Sequence, residues 1–209
     1  MAILATTNST PREPIPAGNY VARCYQMVQI GTVMELINGE QKMLNKVRIG
    51  WELPTELKVF KEENGEQPYV ISEEFTLSMN EKANLRKMLA SWRGKDFSED
   101  EAKSFDITKL IGAKCMINVI HKASKKDASR IYEKIGSVSS IPKGLDCPPA
   151  INNASILSFD DFNVDLYNSL PDFIKDKVKS SLEYAAMQHP NVIRTQSHVS
   201  DVEDDGLPF

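Results

Sequence analysis

The chain has 209 residues, 41% hydrophobic and 26% charged, with a formal net charge of −4, which is enough for one buried core plus sizeable extensions. Its longest apolar runs, such as the one from Cys115 to Ile120, fall far short of the roughly 20 residues a membrane-spanning helix needs. Residues 1–17 are rich in Thr, Ser and Pro and lack the charged start and apolar run of a secretory signal, so a flexible N-terminal segment and a cytoplasmic location are expected.

Residues 19–28 are rich in β-formers and follow a Pro-containing coil, which predicts a first strand starting near Gly18. Gly31 and Asn38-Gly39 read as turn residues. A second strand follows over residues 43–53, with Val47, Ile49 and Trp51 on one face, Leu44, Lys46 and Arg48 on the other, and an end at Pro54. A charged loop containing Gly65 leads to a third strand over residues 69–79.

Asn80 then has N-cap character, and Leu85, Met88, Leu89 and Trp92 recur at helical spacing until Gly94 stops the helix. Ser98 with Glu101 has the form of a capping box, and residues 106–110 suit another short turn. Residues 113–121 and 130–138 read as the fourth and fifth strands, joined by a basic loop containing Lys122, Lys125 and Lys126. Beyond Pro142 the chain reads as loop until an amphipathic helix over residues 173–184, with Ile174, Val178 and Leu182 on one stripe.

The expected class is therefore mainly β, with the order β-β-β-α-β-β over residues 18–144. That is the order of the OB-fold, a five-stranded Greek-key barrel with one helix between strands three and four. An extension over residues 145–187 carries the C-terminal helix and is open to packing on the barrel or to forming a homodimer. Residues 188–209 have too little apolar content to order themselves and are read as a disordered acidic tail.

The charge is unevenly placed. Asp201, Glu203, Asp204 and Asp205 stand in the last ten residues, which have no Lys or Arg; without these four, the remaining acidic residues equal the 25 basic ones. The tip, Asp204-Asp205-Gly206-Leu207-Pro208-Phe209, offers a partner an apolar ring and a carboxylate beside an acidic run that steers toward basic surfaces. Asp204, Asp205, Leu207, Pro208 and Phe209 are the candidate partner-binding residues.

This tip resembles the acidic end of bacterial single-stranded-DNA-binding proteins. The body, including Gly50-Trp51-Glu52-Leu53-Pro54, Phe75-Thr76-Leu77-Ser78, Leu85 to Gly94 and Ile141-Pro142-Lys143-Gly144, resembles phage-encoded single-stranded-DNA-binding proteins with an OB-fold. The resemblance implies protection of single strands during replication, recombination and repair in an infected bacterial host. It also implies recruitment of polymerase, helicase or primase by the tail. The body is not net basic, and Gly-Leu replaces the Ile of many bacterial tips.

A single-strand binder needs cations that track the backbone and flat side chains for bases to stack on. Strand parity singles out Lys46 and Arg48 on strand two and Arg130, Tyr132 and Lys134 on strand five, with Lys122, Lys125 and Lys126 in the loop that grips ligands in OB-folds. Trp51, Trp92 and Phe75 read as packing residues, and Tyr25 and Tyr69 fit either role. The three cysteines, Cys24, Cys115 and Cys147, suit reduced thiols, and His121, His189 and His198 lack zinc-site spacing.

No cofactor or catalytic motif is recognisable. Asp160, Asp161 and Asp165 would suit a magnesium-dependent nuclease only if clustered, and in a polar linker solvated charge is the simpler reading. The leading expectation is a non-enzymatic, sequence-independent single-stranded-DNA binder. The alternative is an OB-fold protein-interaction adaptor without DNA binding.

Overall fold

The computed structural model describes residues 14–124 and 131–189. The expected tail from residue 190, with Asp204, Asp205, Leu207, Pro208 and Phe209, lies outside the described residues, as do residues 1–13 and the loop residues Lys125, Lys126 and Arg130. The fold is mainly β. Strands β1 (Gly18–Ile37), β2 (Glu40–Val59), β3 (Glu66–Thr76), β4 (Lys114–Ala123) and β5 (Ile131–Ser139) form an open sheet in the order β3-β2-β1-β4-β5, and a sixth, β6 (Ser155–Leu157), also pairs with β1. β4 is antiparallel to both of its neighbours.

The first two strands are each 20 residues long, about twice the expected length. Their turn, Asn38-Gly39, has φ of 53° and 86°, the double positive φ that a two-residue hairpin turn requires and that Asn and Gly tolerate. Pro54 does not end β2. Its fixed φ is compatible with extended backbone, so the ring costs one ladder donor and not the strand.

Between β3 and β4, helix α1 (Asn84–Arg93) ends at Gly94 in the left-handed region, as its spacing predicts, but starts four residues later than Asn80. Helix α2 (Glu99–Lys103) carries the capping box, with Glu101 N–H donating to Ser98 Oγ and Ser98 N–H to the Glu101 carboxylate. A 3-10 turn at Ile107–Leu110 is capped by Asp106.

Past β5 the chain is more structured than its composition suggests. It contains β6 and the helices α3 (Val164–Ser169), α4 (Asp172–Lys179) and α5 (Leu182–Gln188). The single helix expected over residues 173–184 is two. Ser181 Oγ donates to Val178 O and accepts from Tyr184 N–H, so one hydroxyl closes α4 and caps α5.

The chain divides into two compact units that interleave along the sequence. The first takes residues up to Gln26, Gly50–Glu73 and Met79–Ala154, and the second takes Met27–Ile49, Glu74–Ser78 and the chain from Ser155. In the first, Ala22, Cys24, Trp51, Leu53, Leu89, Cys115 and Ile117 are buried. The rings of Trp51 and Trp92 lie 5.9 Å apart, and Trp92 Nε1 donates to Lys114 O.

The pairing of β4 with β5 slips at Gly136, because Val119 faces Ile135 while Asn118 faces Ser137. This bulge lets Ile135 and Val138, which differ in parity, both be buried. In the second unit, Val28, Ile30, Val33, Leu157, Tyr167, Leu170, Ile174 and Val178 form the core.

Candidate nucleic-acid interface

In the first unit the candidate residues gather at the open end of the β4–β5 pair. Lys122 stands directly opposite Tyr132 in the antiparallel register, and Lys134 stands opposite Ile120. Lys122 is exposed, and the Tyr132 ring is 46% exposed. Cross-strand neighbours lie about 5 Å apart, so a cation and a flat ring share one small patch. Ile131 beside them is exposed as well.

Lys134 is less available, because its ammonium lies 3.8 Å from Glu73. Burial pushes the Glu73 carboxyl above its ordinary range, and the nearby Lys134 only partly opposes that shift. His121 is accounted for structurally, with Nε2 2.7 Å from Ile15 O.

Lys46 and Arg48 belong to the second unit, and each is paired with a carboxylate. Lys46 Nζ donates to Glu35 at 2.7 Å with its side chain only 12% exposed. Arg48 Nη1 donates to Glu74 at 3.2 Å, and its guanidinium lies over the Phe173 ring, 5.3 Å from the centroid. Lys177 donates to the same Glu74 carboxylate. Parity assigned these two cations to the face away from the core, but the acids opposite them come from distant strand positions that local pattern does not connect.

The outer face of the first unit is crossed by the chain itself. After β5, Asp146 pairs with Lys114 on β4 at 3.1 Å. Cys147 and Pro148 carbonyls then accept from Arg23 on β1 at 3.0 and 2.7 Å. Finally Glu52 on β2 accepts from the N–H groups of Ile151 and Asn152 and from Asn152 Nδ2. Lys114, Arg23 and Glu52 all alternate with core residues, so residues 146–152 form a strap over β4, β1 and β2 in turn. Glu52 is fully buried, and its three donors replace the water it has lost.

The strap also covers a thiol. Cys24, Cys115 and Cys147 are free and buried, and desolvation pushes Cys24 up to about 12 and raises the other two. All three are therefore protonated and unreactive near neutral pH.

A cleft of about 450 Å³ in the same unit is lined by Leu89, Trp92, Phe97 and Phe105, with Arg93 and Lys114 also in its walls. Arg93 lies over Phe97 at 4.9 Å and pairs with Glu101. Both cations in the walls carry carboxylate partners, so the lining offers mainly apolar contact. Among the described residues, no group of three or more His, Cys, Asp or Glu side chains is placed to hold a metal ion, and no helix is long and apolar enough to cross a membrane. The chain matches no protein-family model and no curated protein.

Proposed function

We propose that this protein binds single-stranded DNA without sequence preference and protects it during replication, recombination and repair. The observation that carries the reading is the exposed Tyr132 opposite Lys122 beside the basic loop of residues 122–130. A ring for base stacking next to a cation for phosphate is the minimal single-strand site.

The OB-fold reading is supported by the strand order β3-β2-β1-β4-β5 with α1 between β3 and β4. The Lys134–Glu73 pair, joining β5 to β3, lies where such a barrel closes. The acidic residues 201–205 with Leu207, Pro208 and Phe209 then recruit replication or recombination proteins, in keeping with the resemblance of that tip.

A second reading, a protein-interaction adaptor, draws support from the pairing of Lys46 and Arg48 with Glu35 and Glu74, which leaves those cations little charge for phosphate. Titrating fluorescent oligothymidine at low and moderate salt separates the two. The DNA reading requires binding that weakens steeply with salt, and the absence of binding at low salt favours the adaptor. Removing residues 201–209 should abolish partner capture while leaving or raising DNA affinity.

A further inference from the structure

The second unit contains an exposed aromatic ring that its own packing does not explain. On α4, Ile174 and Val178 are buried and carry the helix's apolar stripe, while the neighbouring Phe173 remains 56% exposed. The Arg48 guanidinium lies over this ring, and Glu74 holds Arg48 in place. The second oxygen of Glu74 accepts from Lys177, one turn along α4 from Phe173.

One carboxylate thus positions two cations beside one exposed ring, and the group keeps a net positive charge. Glu74 and Arg48 are mostly buried, at 15% and 20% side-chain exposure, whereas Lys177 is 45% exposed. The ring is held at the surface by a fixed cation, and a second, solvent-facing cation stands next to it.

We propose that Phe173 is a stacking platform for a base of single-stranded nucleic acid, with Lys177 pairing with an adjacent phosphate. The inference rests on the single-strand reading and adds a contact point in the second unit, on a helix whose sequence suggests only an appendage. The chemistry favours this occupant. A nucleotide presents a flat π-face and, a few ångströms away, a negative charge, which matches the ring and ammonium in kind. A guanidinium over the ring limits its rotation, so less freedom is lost when a base stacks. An aliphatic partner side chain would use the ring but not the exposed charge.

The test uses the full chain and oligothymidine, with some thymines replaced by photoreactive 5-iodouracil. The expected result is a cross-link at Phe173 and a loss of affinity of roughly 5- to 100-fold in Phe173→Ala, with affinity retained in Phe173→Trp. Lys177→Gln should lower the salt dependence by close to one phosphate contact. Thermal melting of Phe173→Ala should match that of the parent, because the ring is exposed.

Unchanged affinity in Phe173→Ala, with cross-links elsewhere, overturns the inference and leaves the single-strand reading standing. A change in mass in solution on Phe173→Ala without a change in affinity also overturns it, in favour of contact between copies. No binding by the parent chain at low salt sinks both.

Discussion

Glu52 Oε1 accepts a hydrogen bond from the backbone N–H of Ile151 at 2.8 Å, across 99 positions of sequence. With Asn152 donating from both its backbone and its side chain to the other oxygen, this fully buried carboxylate is the fixed point of the strap over the first unit. Glu52→Ala would leave Ile151 and Asn152 N–H groups without an acceptor. A buried unsatisfied donor costs about 1–3 kcal/mol, so a loss of ~2–4 kcal/mol in urea unfolding is expected, with faster hydrogen exchange at those two amides. A variant as stable as the parent would show that water replaces the carboxylate without cost.

Tyr132 and Lys122 divide the proposed DNA contact into two measurable parts. Tyr132→Ala should weaken oligothymidine binding by about 1–3 kcal/mol, the worth of one stacked base, at every salt concentration. Lys122→Gln should instead lower the slope of log affinity against log salt by about 0.7, the single-strand value for one phosphate. If neither variant departs from the parent, the open end of β4–β5 is not where DNA is held.

Two glutamates should titrate in opposite senses. The Arg93 hydrogen bond, then the Ser98 N–H, draw Glu101 down to about 2 from an ordinary 4.5. Its contribution is therefore present above the unfolded value and is lost as pH falls toward 2. A carboxyl NMR titration should place its midpoint near 2 in the parent and higher in Arg93→Gln.

Glu73 is raised above 4.5, mainly by burial. Its folded form binds the proton more tightly than the unfolded chain, so stability should fall as pH rises from about 4.5 through the raised value. Glu73→Gln should flatten that part of the stability–pH curve, and an unchanged curve would remove Glu73 as its source.

Gly136 is constrained by what lies beside it. A Cβ there would stand 2.6 Å from Asn118 Oδ1, and Asn118 is itself held by a 2.8 Å hydrogen bond from its Nδ2 to Asn19 Oδ1. Gly136→Ala should cost about 1–3 kcal/mol by overpacking. Adding Asn118→Ala should recover part of it, measured as a non-additive double-mutant cycle.

Local chemistry was legible in the sequence where its determinants are local. The Ser98–Glu101 capping box, the Gly94 stop and the Val47, Ile49, Trp51 alternation all depend on residues within a few positions of one another, and all are seen in the structure. What could not be read depends on contacts made at a distance. Pro54 remains in a strand because the rest of β2 is held by its neighbours, and residues 146–152 look like linker until Arg23 and Glu52 supply their partners.

The candidate site divides in the same way. Parity identified outward-facing Lys46 and Arg48, but Glu35, Glu74 and Phe173, which set what those cations can do, lie 11, 26 and more positions away. An exposed Phe at the start of a helix carries no sequence signal that sets it apart from one that packs.

The interleaving of the two units bears on how the polypeptide is made. Val28, Ile30 and Val33 emerge early in synthesis, yet the residues that cover them, from Leu157 to Val178, are among the last to appear. A nascent chain stopped anywhere before that helix holds a bare apolar strand, and no single cut releases either unit intact. Folding must wait for nearly the whole message to be translated, and truncated products should be recognised by chaperones or precipitate rather than persist as working halves.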